Sequence, residues 1–466
     1  MKKFLALFLG AILVANAAPS LAASKIDFSG YFKIFHSDES NFTRHWDNNQ
    51  RDEDHYFANK IQMNVSIKPT DDIEIRWVIR GPDNYRWGAT AVGTGALTNV
   101  ITRSLHVKIK QPWGTFYVGR IADNLPGNVG GLYTLGYRKK WGNEWLHPDN
   151  IFDISAPVDG IAYDHDFGNG WGLQAYYAKW NHYTPLAYIT SAAGVTTQNG
   201  TDKDRDRDVF GIEPRYKWDG GGASLGIEYI RNMNTNGATV TSNYGIIFNP
   251  AFMHKWGAFS IHFEGKVGWG KTKFVGNTTT KSAGLGLYLD ANYDYGSGDV
   301  TLMGFYIDGT KRNGKVNNLF DLGDFAPFIV AFNKAAYGQG TWTRGSGWTG
   351  SGNQGWGTVG NRASASNSTE PKTNIWGVGL LGNQSLNDDI KFNYGFGYFG
   401  LVRANPGWSK SLGFEIDLGA TFQLLDNLQF ESQFGYMFSG NAYKRAVSGP
   451  SPKDTFTWLN VLAVTF

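Results

Sequence analysis

The sequence predicts an all-β fold, a transmembrane antiparallel β-barrel of eighteen strands with sixteen as the rival count. Three observations carry that expectation. From residue 25 to residue 466, segments of about ten residues place apolar side chains at every second position. Short turns alternate strictly with longer polar loops. No segment beyond the N-terminus is apolar enough to cross a membrane as a helix.

The chain opens with Lys2 and Lys3, an apolar run over 4–15, and small residues around Ala22 and Ala23 that suit cleavage. That run is too short and wrongly flanked to span a bilayer. Residues 1–22 are therefore expected to be a secretory signal peptide, leaving 23–466 as the barrel domain.

Composition agrees with a barrel. Sixty glycines, 31 Phe, 23 Tyr and 17 Trp occur in a chain whose mean hydropathy is only -0.34. Alternation reconciles these, because one face of each strand is apolar and the other is wet. A formal charge of +3, which falls to about +1 without Lys2 and Lys3, gives no footprint for nucleic acid. With no cysteine, an exported chain has neither disulfide staples nor a thiol nucleophile. Cohesion must come from a hydrogen-bond ladder, which in hydrocarbon has to close on itself.

The alternation can be followed strand by strand. Ile73, Ile75, Trp77 and Ile79 oppose Glu74, Arg76 and Arg80, and Leu105, Val107 and Ile109 oppose His106, Lys108 and Lys110. Phe259, Ile261, Phe263, Val267 and Trp269 alternate with Ser260, His262, Glu264 and Lys266. Phe414, Ile416, Leu418, Ala420, Phe422 and Leu424 alternate with Glu415, Asp417, Thr421 and Gln423. A soluble sandwich would also alternate. Loop asymmetry decides between the two.

Short links fall near 69–72, 111–114, 168–171, 219–222, 255–258, 296–299, 386–389 and 425–427. Longer ones lie near 37–54, 83–98, 123–159, 184–207, 232–240, 271–280, 312–372, 403–410 and 440–454. Short periplasmic turns and long outer loops are the habit of outer-membrane barrels, and an even strand count returns both termini to the periplasm. Trp113, Trp171, Trp218 and Trp256 stand at or beside short turns, where an amphipathic ring suits the bilayer interface.

Two segments carry a family resemblance. The last strand, 455–466, ends on Phe466 with Trp458, Leu462 and Val464 in phase, and resembles the assembly signal of Gram-negative outer-membrane proteins; Asn460 departs from that pattern. Gly114-Thr115-Phe116-Tyr117-Val118-Gly119-Arg120 resembles the strand before the constriction loop of general diffusion porins, and Gly160-Ile161-Ala162-Tyr163-Asp164 resembles the strand after it. Overall style is similar to the homotrimeric porins of sulfate-reducing bacteria. The resemblance implies an outer-membrane homotrimer, embedded in lipid and lipopolysaccharide, that passes small hydrophilic solutes and ions. It also implies that 123–159 folds inward as the constriction loop.

A barrel of this size is too wide for side chains to fill, so an aqueous channel is expected. The inward phase supplies a basic wall of Arg76, Arg80, Lys108, Lys110 and Arg215, which Arg120 joins by the family resemblance. Inward placement of Arg120 conflicts with parity, since Phe116 and Val118 would follow it unless a bulge intervenes. Glu144, Asp149, Asp153 and Asp159 of the constriction loop form the expected acidic side, and facing rows of opposite charge create a transverse field. The long outer loop 312–372 contains a segment, 317–337, with apolar residues at helical spacing.

No catalytic motif, cofactor site or metal site stands out, and the chain is not expected to be an enzyme. Two alternatives remain open. One is a substrate-specific channel for sugars or organic anions, with Tyr31 or Tyr288 as stacking steps. The other is a plugged-barrel outer-membrane enzyme or adhesin.

Overall fold

The computed structural model describes residues 25–40, 53–81, 85–86, 101–121, 158–181, 188–190, 196–198, 207–232, 240–274, 279–308, 328, 375–403, 409–443 and 454–466. Eighteen long antiparallel strands form one sheet. They begin with β1 (Lys25–Ser40), β2 (Glu53–Thr70), β3 (Ile73–Arg80), β4 (Ile101–Gln111), β5 (Gly114–Ile121) and β6 (Val158–Gly168). The middle of the sheet is β7 (Trp171–Asn181), β8 (Arg207–Trp218), β9 (Gly221–Asn232), β10 (Val240–Trp256), β11 (Phe259–Phe274) and β12 (Thr279–Asp294). It ends with β13 (Gly298–Ile307), β14 (Ile375–Ser385), β15 (Ile390–Leu401), β16 (Ser411–Leu425), β17 (Leu428–Ser439) and β18 (Thr455–Thr465). The two-residue piece Tyr85–Arg86 pairs with Asn59 and Ala58 of β2 and extends the line of β3.

Each strand pairs with its sequence neighbour, and β18 pairs with β1 from Tyr31↔Thr465 to Ser40↔Phe456, so the sheet is a closed barrel. The seam continues past β18 at its short-turn end. There Gly30 N–H donates to the Phe466 carbonyl (2.8 Å) and Phe466 N–H donates back (3.1 Å). A Cβ at position 30 would stand 2.8 Å from the Phe466 ring and 2.3 Å from the Gln62 carbonyl, so only glycine fits beneath the terminal aromatic. Asn460, the departure from the terminal pattern, lies on the seam with its amide 3.2 Å from His36 Nδ1.

The eight short links are where the sequence puts them. Link 275–278 is shorter than the loop expected over 271–280, because β11 and β12 run on to Phe274 and Thr279. The segment over 240–254, one of the weaker stretches of the alternating pattern, forms the 17-residue β10 and pairs on both edges.

In a regular antiparallel sheet, directly opposed residues share a face, so one assignment propagates around the barrel. Lys33 opposes Lys60, Gln62 opposes Arg80, Arg76 opposes His106 and Glu74 opposes Lys108, all on the inward face. The outward face carries the apolar phase, including Trp77, Leu105, Trp269, Leu289 and Leu302. A large continuous apolar surface is unfavourable in water and is the surface a barrel presents to hydrocarbon. Leu302 is 61% exposed on that band. Leu302→Arg is therefore expected to destabilise the barrel by about 2–4 kcal/mol, measured by reversible folding into lipid bilayers; a change near zero would mean that Leu302 does not face the bilayer core.

Aromatic rings gather at the short-turn end. Trp171 and Tyr216 (4.8 Å between centroids), Trp218 and His254 (6.1 Å), and His254 and Trp256 (4.2 Å) build a chain of rings across neighbouring strands. Trp218 Nε1–H donates to His254 Nδ1 (2.9 Å), which satisfies the polar end of a ring otherwise set among apolar groups.

Candidate channel lining

The inward face of β1–β4 is basic. Among the described residues it presents Lys25, Lys33, Lys60, Lys68, Arg76, Arg80, Lys108 and Lys110, with Asp27 and Glu74 as carboxylates among them. Arg80 is fixed by two hydrogen bonds to Gln62 Oε1, from Nε (3.3 Å) and Nη2 (3.1 Å). Glu74 accepts from Ser66 (2.8 Å) and lies 3.7 Å from Arg76 Nε, which orients but does not bury that guanidinium. The ammonium of Lys33 stands 4.5 Å from the centroid of Tyr31, and that of Lys108 5.7 Å from Tyr117. Such placement restricts long side chains that would otherwise lose much rotamer freedom on ordering.

Arg215 is also inward, but it is paired. Its guanidinium reaches across β7 to Asp164 of β6 (2.5 Å), over Gly172, where a Cβ would stand 2.7 Å from Nε. The cation is locally neutralised.

Arg120 and Asp159 require correction. The register sets Arg120 opposite Leu105 and Asp159, on the outward face with Phe116 and Val118, and the two form an exposed ion pair at 3.7 Å. No bulge interrupts β5 between Phe116 and Arg120, so the parity of the strand prevails over the family resemblance. Glu144, Asp149 and Asp153 lie outside the described residues, as does the rest of the proposed constriction loop up to residue 157.

An acidic side exists nonetheless, on the barrel wall. Away from the short turns, the described inward residues of β9–β17 include Glu228, Glu264, Asp290, Glu415, Asp417 and Glu431, with Lys266 as the cation. Glu228 accepts from the Tyr176 hydroxyl (2.6 Å), and Asp290 accepts from Tyr288 (2.7 Å) and from His262 Nδ1 (2.8 Å). Gln433 donates to Glu431. The alternation already placed His262, Glu264, Glu415 and Asp417 on the polar phase. Which strands stand across the bore from β1–β4 is a property of closure, which a linear pattern does not display.

The two sides differ in access. The Arg76 side chain is 50% exposed, and Lys110 is exposed, whereas Glu228, Glu264 and Glu415 are fully buried. Lys33 and Lys266 are buried as well, so the accessible inward cations include Arg76, Arg80, Lys108 and Lys110 of β3 and β4.

A third inward region is apolar. Phe305 and Ile307 of β13, Ile375 and Leu381 of β14, and Phe399 and Leu401 of β15 are all buried on the lumen side. Phe328, the one described residue between 309 and 374, is fully buried here and packs edge-on against Phe399 at 5.1 Å. Its bed is glycine: a Cβ on Gly379 or Gly397 would come within 2.5 Å or 2.7 Å of the ring. The rest of 317–337, where helical spacing was noted, lies outside the described residues.

A closed barrel with an apolar outer band and a charged interior is an outer-membrane β-barrel of the porin architecture. Among solved structures, the chain is similar to Pseudomonas aeruginosa OccK11 (OpdR), at 8% identity and a TM-score of 0.50, over 95% of this chain and 96% of that one. It is equally similar to the outer membrane protein OprD of the same species, at 10% identity and a TM-score of 0.50, over 95% of this chain and 94% of that one. At such identity the likeness concerns fold. No family model matches the chain, and no curated protein does.

Proposed function

We propose that the protein is an outer-membrane porin, a homotrimer of the kind it resembles in sulfate-reducing bacteria, through which small hydrophilic solutes and ions diffuse passively. The observation that carries this reading is the accessible group Arg76, Arg80, Lys108 and Lys110 on the inward face of β3 and β4, while Glu228, Glu264 and Glu415 are buried. The wall removes the dielectric barrier of the bilayer, and the exposed cations favour anions over cations of equal size. Transport of this kind calls for no cofactor and no covalent chemistry.

A substrate-specific channel for organic anions is the second reading. It is favoured by the inward cations Lys60, Arg80, Arg76 and Lys108, which lie on the adjacent strands β2, β3 and β4 and can each bind a carboxylate.

Single-channel conductance in a planar bilayer, followed by the reversal potential in a potassium chloride gradient, tests the proposal. Openings in threes and an anion-selective potential are expected. A folded but silent barrel would sink the channel reading, and cation selectivity would sink the role given to β1–β4. Saturable block by one class of carboxylate would move the assignment to the second reading.

A further inference from the structure

The acidic wall contains a patch whose oxygen atoms the fold leaves unused. On β15 and β17, Asn393 and Gln433 oppose Gly419 of β16 from either side. One inward row nearer the long loops, Asp417 faces Thr457 of β18 across Gly435. Among the described residues, Asn393 Oδ1, Gln433 Oε1 and Thr457 Oγ1 are buried without a hydrogen-bond partner. A buried acceptor left unmade is costly, so three in adjoining rows call for donors.

The two amides are oriented by their nitrogens. Gln433 Nε2 donates to Glu431, and a carboxylate only accepts, which fixes the Gln433 amide. Asn393 Nδ2 donates to Thr421 Oγ1 (3.3 Å). Thr421 and Glu431 both lie on the short-turn side of Gly419, so both amide oxygens turn the other way, towards the row of Asp417. Gln433 also leans over the glycine, since a Cβ on Gly419 would stand 3.0 Å from its Cγ. Three unused oxygens and one carboxylate thus border a floor of bare backbone at Gly419 and Gly435. The described inward cations of neighbouring strands lie towards the short turns, Lys391 opposite Thr421 and Lys33 in the row of Gln429, and neither stands in the row of Asp417.

We propose that this patch is a subsite for a primary ammonium group at the end of an organic solute. An ammonium brings three N–H donors and no acceptor, which matches amide oxygens beside a carboxylate. Exposure is 8% at Asp417, 6% at Asn393 and 5% at Gln433, so the patch admits the tip of a chain and not a hydrated ion. On the other flank of Asp417 the Phe328 ring lies over Gly395, 3.4 Å from where a Cβ would stand, and offers apolar contact to the carbon stem. A divalent metal is the poorer fit, because among the described residues no three carboxylate or imidazole side chains are placed to share one.

The inference goes beyond the diffusion reading and uses it only for a water-filled route to the wall. The test uses the folded full chain in phosphatidylcholine nanodiscs, with butylammonium chloride as the probe and saturation-transfer NMR as the readout. Butylammonium is expected to bind saturably. Tetramethylammonium, which has the charge but no N–H, is expected to bind about tenfold or more weaker. Asp417→Asn and Gln433→Leu are each expected to weaken butylammonium about tenfold. Thr457→Val, which keeps the shape of the side chain, is expected to weaken it roughly threefold and serves where either of the others fails to fold.

Equal binding of tetramethylammonium, or unchanged binding by the folded variants, would overturn the proposal. Displacement of butylammonium by equimolar calcium would also overturn it, in favour of a metal site. Conductance recorded in the same lipid separates the two readings: a conducting barrel that does not bind butylammonium sinks the subsite alone, and a silent barrel that binds it sinks the channel alone.

Discussion

Reversing the basic face, with Arg76→Glu, Arg80→Glu and Lys108→Glu together, is expected to invert the sign of the reversal potential from anion to cation selectivity. In water, a unit charge about 7 Å from a passing ion is worth roughly 0.6 kcal/mol, and moderate salt screens part of that. Exchanging three cations for three carboxylates still exceeds the roughly 1.4 kcal/mol that sets a tenfold permeability ratio. The three side chains share one inward face on adjacent strands, so their fields add along the same stretch of the bore. Arg215→Gln is expected to shift the potential far less, because Asp164 already offsets that charge. The inversion should weaken as salt is raised toward molar concentration. A potential that keeps its sign would mean that ions do not pass β3 and β4.

Freeing Phe328 is the second large effect. Phe328→Ala removes a fully buried ring from a site floored by glycines and walled by Phe399. Truncations of buried Phe commonly cost about 3–5 kcal/mol, and that energy is local to the attachment of the 309–374 segment. Gly397→Leu attacks the same contact from the wall, since a Cβ alone would stand 2.7 Å from the ring. Both variants are expected to speed tryptic cleavage within 309–374, where Lys334 and Arg344 offer sites, and to raise single-channel conductance. Because the barrel wall is untouched in Phe328→Ala, the unfolding transition of the strands should remain. Parental cleavage rates and conductance in both variants would show that Phe328 does not hold the segment.

Much of the barrel was readable from period and punctuation. Ile73, Ile75, Trp77 and Ile79 announce their strand because a two-residue period, once one face meets lipid, permits no other register. The inward positions of Arg76, Arg80, Lys108, Lys110 and Arg215 follow from the same parity. Arg120 shows the limit of analogy, for its own neighbours Phe116 and Val118 indicated the outward face that the resemblance denied.

The acidic side was legible as residues but not as a wall. Glu264 and Glu415 each sit in the polar phase of their strand, yet their shared placement on the arc away from β1–β4 depends on closure of the whole sheet. Phe328 left a fainter sign. Gly377, Gly379, Gly395 and Gly397 fall in one phase on two neighbouring strands, and a pair of bare strands on an inward face leaves space that some bulky group must occupy.

The seam between β1 and β18 joins the two ends of the sequence. Tyr31 waits for Thr465, and Gly30 for Phe466, so no other pairing in the sheet spans so much chain. Every other strand can find its partner while the chain is still growing or threading. This one cannot, and until it does, two edges of unpaired peptide groups face hydrocarbon, a state that carries several kcal/mol per group. Insertion into the bilayer and completion of the ring are therefore coupled, and the pairing that completes the ring closes the longest stretch of chain in the sheet. Deleting Phe466 would leave Gly30 without the carbonyl that accepts its N–H and the N–H that it accepts from.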